Sequence, residues 1–586
     1  MSHKKWQLYP AITAEERENF PELQPIVSQL LINRNLRRQE QIDEFFNPDY
    51  SQDIYDPFLF KEMKKSVERV KAAVKKNQKI VVYGDYDADG VTSTVVMVSA
   101  LKKIGAKQVD VYIPHRLTEG YGLSLSALKA ICKKKVDLII TVDCGISNYA
   151  EAVFAREQGI DLIIVDHHHA PEKLPPAYSI LCNTVVKENY PFKELAGVGM
   201  AFKFVQGLLL KCGGEDGHLQ AFEKWLLDLV AIGTIGDCVT LLGENRTLVK
   251  YGLMVLNKTK RVGLKKLIAI ARIKAVENDD MPAVANRLYN LKSDQVSFQL
   301  VPRLNAAGRI DHANVAYQLL MTSNSEEAEL LAQELNHANQ ERQRVVEKIV
   351  EECRQQIKTQ QKNKILICSG QDWSIGLVGL VAGKLSDEYY KPVLVFGQQG
   401  ENFSASGRSI KEFNMIEAVE ELKQYLKQYG GHEQACGLKI EGLTNFEQFC
   451  QKIIKKAAKI LKDVELVPTI KAEACLQLDE VDWNLQAELV KFEPFGEDNP
   501  RPLFWLKDLE IVNLSRVGAD QKHLRLDVRS SSRTQKKLIC FGLAENWADI
   551  LAIGDQIEAM VEIGINDWRG KQELQLKALD LRKVSS

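Results

Sequence analysis

The 586-residue chain has no apolar run long enough to span a membrane: its longest candidate, near Val198 to Leu210, is broken by Lys203. The N-terminus, "MSHKKWQLYPAITAEE", carries Lys4 and Lys5 but no apolar stretch after them, so it does not read as a secretion signal. The 11 cysteines are scattered, with no CxxC pair, which argues against a zinc ribbon or a disulfide framework and leads us to expect the reducing cytoplasm. The formal net charge is -1, so no bulk imbalance advertises a nucleic-acid partner, although local patches could serve. There is no internal repeat and no low-complexity tract. What is present is ordinary: 45% hydrophobic and 26% charged residues, in a chain long enough for three or more domains.

From Lys79, short β-rich runs alternate with helical ones. "KIVVYG", "VDVYIP", "DLIITVD" and "DLIIVDHHH" read as strands, separated by "VTSTVVMVSALKKIG", "LSALKAICKKK" and "NYAEAVFAREQG" as helices. Continuously apolar strands between helices indicate a parallel sheet covered on both faces. Residues 221–320 are mostly helical in pattern, and Ser325 to about Lys358 is one long helical stretch expected to cross between two domains. A second α/β unit follows, and from about Pro468 alternating short strands such as "HLRLDV" and "LICFG" suggest a small β-barrel.

The stretch "KIVVYGDYDADGVTST" places Asp85, Asp87 and Asp89 where a strand ends and a helix begins. Three like charges that close repel unless solvent dilutes them or a cation sits among them. The third strand ends at Asp143, and the fourth at Asp166, His167, His168 and His169. The carboxyl ends of strands in an open parallel sheet share one edge, where ligands bind. Asp85, Asp87, Asp89, Asp143, His167 and His168 should therefore converge, with Asp237 of "GTIGDC" as a further candidate. A lone "DADG" is ordinarily a turn, and one histidine after a strand is ordinarily a satisfied polar group. Four acidic ends with successive histidines are less easily dismissed, and only His169, on the opposite side of an extended segment, keeps a structural reading. Such an oxygen-rich set suits Mn²⁺ or Mg²⁺ better than zinc. It has more acids than one ion needs, and two ions roughly 3.5–4 Å apart would use them for phosphoester hydrolysis.

These segments resemble a known family. "GDYDADGVTST", "TVDCGIS", "VDHHH" and "GTIGD" are similar to the four motifs of the DHH phosphoesterase superfamily, and "GGHEQACG" resembles the Gly-Gly-His motif of the associated DHHA1 domain. "PRLNAAGRI", "WSIGLVGLVAGKL", "SGRS" and "FEPFGEDNPRPLF" resemble the RecJ branch, and the likeness covers nearly the whole chain, weakly before about residue 60. It implies an N-terminal segment at 1–60, a parallel-sheet DHH catalytic domain at 61–324 and a connecting helix at 325–358. A smaller α/β DHHA1 domain at 359–465 and an OB-fold single-strand-binding barrel at 466–586 complete this α/β multidomain expectation.

The implied activity is metal-dependent 5′-to-3′ degradation of single-stranded DNA to mononucleotides, in repair and recombination. Asp85, Asp87, Asp89, Asp143, His167 and Asp237 would form the shell for two Mn²⁺ or Mg²⁺ ions, with His168 also at the metals and phosphate. Arg303, Asn305, Arg309, Ser404, Ser406, Arg408 and His432 fall in the motifs that resemble the substrate cleft. Arginine forks suit phosphate oxygens, and glycine-rich turns offer N–H groups to an anion. On the barrel, Phe504, Trp505, His523, Arg525, Trp568, Arg569 and Lys571 are candidates for holding a strand. A helicase and a single-strand-binding protein are the partners such a role would call on. Departures from the family pattern are Tyr83 where some relatives carry His, Gly236 and Cys436 in place of Ala, and "CNTVV" in place of Asn-Pro. Two competing readings are a phosphodiesterase for short oligonucleotides or cyclic dinucleotides, which would not need the barrel, and a non-catalytic single-strand scaffold, which should have lost its ligands.

Overall fold

The computed structural model describes residues 4–116, 118–212, 218–273, 275–277, 287–289, 291–310, 312–568 and 571–584. The chain divides into two compact units: residues 50–239 with 244–466, and residues 1–49, 240–243 and 467–586.

The first unit is built on a parallel sheet of β1 (Ile80–Tyr83), β2 (Val109–Tyr112), β3 (Leu138–Val142), β4 (Asp161–Asp166) and β5 (Ser179–Cys182), in the order β2-β1-β3-β4-β5. β1 and β3 are buried throughout, as the unbroken apolar runs require of strands covered on both faces. Helix α1 (Ala88–Lys103) follows β1 and packs against α2 (Gly197–Cys212) and α3 (Leu227–Asp237). Further on, α4 (Val301–Ile310) carries the "PRLNAAGRI" motif.

Helix α5 (Ser325–Ile357) is capped by Asn324, whose side chain accepts from the N–H groups of Glu326 and Glu327 at 2.8 and 3.0 Å. Its buried residues fall in two groups, Ala328 to Asn339 and Ile349 to Ile357. The first half packs on α4, the second on α6 (Ile375–Tyr389) and on β6 (Leu366–Gln371), and half-exposed Asn336 and Arg342 mark a polar waist near its middle. Beyond it, β7 (Val393–Gln399), β8 (Asn402–Arg408), β9 (Gln428–His432) and β10 (Ala435–Glu441) complete a mixed sheet, ordered β9-β10-β8-β7-β6, in which only β6 and β7 run parallel.

In the second unit, β11 (Leu503–Val517), β12 (His523–Arg529), β13 (Gln535–Cys540), β14 (Gln556–Trp568) and β15 (Lys571–Lys583) form a barrel, closed where β14 pairs back onto β11. Phe20, Val27, Leu30, Leu31 and Phe45 from the first 49 residues share its hydrophobic core. The strand Lys5–Leu8 pairs in parallel with Thr469–Ala472. Among the described residues no helix is long and apolar enough to cross a membrane.

Candidate metal centre and substrate cleft

The carboxyl edge of the first sheet collects the acids. Asp87 is the N-cap of α1, one oxygen accepting from the N–H groups of Asp89 and Gly90 at 3.0 Å each. Gly90 is required there, because a Cβ would lie 2.7 Å from the Asp85 backbone. Asp89 reaches across to the start of α2, accepting from Gly197 and Val198 N–H at 2.7 and 2.8 Å. Gly197 leaves room for Asp143, whose Oδ1 would lie 2.3 Å from a Cβ at that position. Asp143 itself sits just past β3 with φ +62°, a left-handed conformation that costs a non-glycine residue energy and tends to occur where a side chain must be aimed. Asp237 ends α3, followed by Cys238 in the left-handed region.

Three overlapping groups result: Asp85, Asp87 and Asp143; Asp143, His167 and His168; and Asp89, His167 and Asp237. Within each, one ligand atom per residue lies within 4.8 Å of the others. His167 Nε2 is 3.2 Å from Asp143 Oδ1 and 3.6 Å from Asp237 Oδ2. His168 is more peripheral, with Nδ1 2.8 Å from Asp166 and 4.0 Å from Asp143 Oδ1.

Burial, reinforced by the neighbouring carboxylates, holds Asp85, Asp89 and Asp143 well above the ordinary carboxylate range. Asp237 is also raised by burial, and burial lowers His167. Asp85 Oδ1, Asp143 Oδ1, His167 Nε2 and Asp237 Oδ2 are all buried without a hydrogen-bond partner among the described residues. Buried polar atoms are ordinarily satisfied, so four unsatisfied lone-pair donors beside mutually repelling carboxylates fit the coordination of a cation. Oxygen donors with one or two imidazoles fit a hard divalent ion.

Asp166 has a different task, which the sequence reading passed over. It accepts from the N–H groups of Ile146, His167 and His168 and binds the His168 ring at 2.8 Å. Burial alone would raise it, but these bonds and the His168 charge bring it below its ordinary value. Tyr121 also went unnoticed: its hydroxyl lies 2.9 Å from His168 Nδ1 and 3.3 Å from the Asp143 carbonyl oxygen. Tyr83 stays out of the site, buried with its hydroxyl donating to the Gly122 carbonyl and its ring stacked on Tyr112. His169 is exposed.

Of the cleft residues named from sequence, Asn305 holds the aspartate loop itself, accepting from Ala88 N–H at 2.6 Å. Arg309 donates to the Gly376 carbonyl at 2.9 Å, tying α4 to the start of α6. Burial and neighbouring cations bring its guanidinium down to about 10. Arg303 donates to Asn336 on the waist of α5 and to Gln299, and it repels Arg342. Ser404, Ser406 and Arg408 alternate along β8 and so share a face, with Arg408 bonded to Ser406. His432 stands exposed at the end of β9, opposite Ala435, and makes no hydrogen bond or ion pair among the described residues.

Arg116 joins this set without any motif to announce it. It lies over the Tyr86 ring at 4.6 Å and acts electrostatically on Asp85, Arg309 and Arg408. None of Arg116, Arg309 and Arg408 is in an ion pair among the described residues, which is the setting for an anion.

The barrel candidates need correction. Phe504 is fully buried in the barrel core, because its strand alternates inward and outward and Phe504 takes an inward position. Trp505 is engaged edge-on with Trp6 at 5.4 Å, with Lys507 over its ring. His523 packs edge-on against Phe541, a half-exposed aromatic not singled out from sequence. Arg525 lies 3.7 Å from Asp527. Arg569 and the side chains of Trp568 and Lys571 lie outside the described residues.

Comparison with known proteins agrees with this layout. Residues 79–234 match the N-terminal domain of the DHH family, residues 362–459 the DHHA1 domain, and residues 472–580 the RecJ OB domain. The fold and the acid-lined sheet edge thus define a DHH-type protein with an appended DHHA1 domain and OB barrel. A Bacillus subtilis protein named single-stranded-DNA-specific exonuclease RecJ is 37% identical, over 95% of this chain and 68% of its own length. Its Haemophilus influenzae namesake is 31% identical, over 94% and 95%. The crystal structure of Thermus thermophilus RecJ in complex with Mn²⁺ superimposes with a TM-score of 0.82 at 26% identity, covering 99% of this chain and 80% of that one. The chain belongs to the RecJ family.

Proposed function

We propose that this protein is a metal-dependent exonuclease that hydrolyses single-stranded DNA to mononucleotides from the 5′ end, in DNA repair and recombination. The observation that carries the reading is the set of unpartnered ligand atoms on Asp85, Asp143, His167 and Asp237, in a chain of the RecJ family. Asp85, Asp87, Asp89, Asp143, His167 and Asp237 would hold two ions, Mn²⁺ or Mg²⁺, with His168 at their margin. Such ions supply Lewis acidity and an activated water for phosphodiester hydrolysis.

The chain's own residues do the positioning. The α1 cap and the Gly197–Val198 N–H groups fix Asp87 and Asp89, and Asp166 fixes the His168 ring. Arg116, Arg309 and Arg408 offer unpaired guanidinium groups to phosphate beside Asp85 and Asp87, a suitable seat for a 5′-terminal phosphate. In this reading Arg342 on the waist of α5 and Arg303 of α4, bonded to Asn336, line a path between the two α/β parts of the first unit that would admit one strand and exclude a duplex. Ser404, Ser406 and His432 complete the cleft in this reading, and the barrel is a platform for binding single strands. A helicase and a single-strand-binding protein would present the substrate in the cytoplasm.

End-labelled DNA tests this directly. With Mn²⁺ present, a 5′-labelled single strand should release labelled mononucleotide at once and a 3′-labelled strand only at the end, with blunt duplex untouched. Equal degradation of duplex and single strand would remove the strand-selection argument, and strand binding without cleavage would leave a scaffold.

A further inference from the structure

Beside the metal centre opens a pocket of about 420 Å³ whose wall includes His167 but none of the other residues of that centre. Its remaining walls come from Val239, two past Asp237, and from the loop after β5, which brings Asn183, Thr184, Val185 and Leu195 together with two lysines, Lys187 among them, and two glutamates, Glu188 and Glu194. That volume falls within the range of small-ligand pockets, about 300–1,000 Å³. The walls are mixed. Val185, Leu195 and Val239 are apolar, whereas Asn183 is 1% exposed and its Oδ1 accepts no hydrogen bond among the described residues. Its Nδ2 donates to the Lys193 carbonyl at 2.8 Å, which fixes the amide, and Thr184 Oγ1 donates to the His168 carbonyl at 2.6 Å, which ties the loop to the metal-side histidines. Lys187 is exposed at the rim.

The position of the cavity along the acid row narrows its ligand. Arg116 and Arg309 act on Asp85 and Asp87, at one end, while the cavity opens at His167 and Val239, beside Asp237, at the other. A strand cut at its first internucleotide bond carries its terminal phosphate on one side of the scissile phosphate and the next nucleoside on the other. The geometry points to this cavity as the seat of that next nucleoside, the one whose 5′ oxygen stays on the phosphate after cleavage. Its sugar and base face the apolar walls, Asn183 Oδ1 accepts from a donor on it, and Lys187 meets the following phosphate. The assignment rests on the exonuclease reading above.

Two chromogenic esters and one binding measurement test it. Thymidine 5′-(4-nitrophenyl phosphate) carries the nucleoside that the cavity would take, whereas bis(4-nitrophenyl) phosphate carries none. Val185→Trp fills the cavity from a wall residue that is not itself a metal ligand, and the bis ester reports any disturbance of His167, which shares that wall. With Mn²⁺, the variant should lose tenfold or more in kcat/KM for the thymidine ester, chiefly through KM, and stay within twofold of the parent for the bis ester. Lys187→Glu should leave both esters and the dinucleotide d(pTpT) within twofold but weaken the trinucleotide d(pTpTpT), whose second nucleoside is followed by a phosphate. Equal losses on both esters in Val185→Trp, or no loss on either, overturn the assignment. Thymidine 5′-monophosphate binding by calorimetry should be weakened in Val185→Trp, whether or not the parent enzyme turns over. A parent chain that cleaves neither end-labelled single-stranded DNA nor either ester yet shows this weakening defeats the exonuclease reading and keeps the pocket, whereas unchanged binding defeats the pocket.

Discussion

Two buried clusters of charge lie in the same α/β unit and differ in one respect. Lys203 and Glu244 are both 0% exposed in their side chains and 3.0 Å apart, and every need is met: Tyr190 donates to both Glu244 oxygens, and Lys203 also donates to the Tyr55 carbonyl. The acid row of Asp85, Asp89, Asp143 and Asp237 is equally buried in its inner members but carries like charges and unsatisfied atoms. The first cluster is internally complete and holds α2 in place; the second is complete only with something the chain does not supply. Burial and charge alone do not separate structure from function here. Whether the partner is part of the chain does.

Breaking the second cluster should have the largest effect, and on activity alone. Asp143→Ala is expected to reduce strand cleavage by on the order of a thousandfold or more while leaving the metal-free Tm equal or higher, since a repelling buried carboxylate is removed. Single-turnover cleavage and thermal unfolding of the same preparation check both halves, and a large loss of Tm would make Asp143 a structural residue.

Breaking the first cluster should do the reverse. Lys203→Met leaves Glu244 buried without its cation and should cost about 3–5 kcal/mol in denaturant unfolding, with cleavage per folded molecule unchanged. Adding Glu244→Gln should recover part of that loss. If the single variant unfolds like the parent, the contrast between the clusters fails.

The smallest effect sharpens the comparison through pH. Asp85, Asp89 and Asp143 are raised in the folded chain, so the folded state binds their protons more tightly than the unfolded one. Their contribution to stability is full below the ordinary carboxylate range, about pH 4, and is lost as pH rises through the raised values. The metal-free Tm should therefore drift down as pH rises above the ordinary carboxylate range, and the Tm increase on adding Mn²⁺ should grow in the same direction. In Asp143→Ala both slopes should shrink, and parallel profiles for parent and variant would count against the coupling.

Much of the site could be read along the chain because each ligand stands at the end of a strand or helix whose apolar run is local. Asp85, Asp143 and His167 follow β1, β3 and β4 directly, and parallel pairing brings those ends together. The cleft was only half legible. Asn305 and Arg309 lie in a motif, but Arg116 follows a strand without one, and Arg342 repeats at the spacing of core residues on α5. Asp166 could be seen but not its role, which depends on N–H groups from Ile146, across the sheet edge. Which barrel aromatics are core, Phe504 among them, could not be read because alternation names two faces without saying which is inside.

The sequence by itself determined the parallel sheet, the long helix, the barrel and the chemical type of the metal centre, since these depend on periodicity and residue type over a few neighbours. Tertiary structure alone decided which charges find partners. Lys203, which interrupts an apolar run, proved to be a buried ion-pair residue because Glu244 arrives from another helix. It also decided that residues 1–49 build a unit with the barrel, through Lys5–Leu8 pairing with Thr469–Ala472. Pairing between segments so far apart is set by the shape of the folded surfaces, which no local pattern encodes.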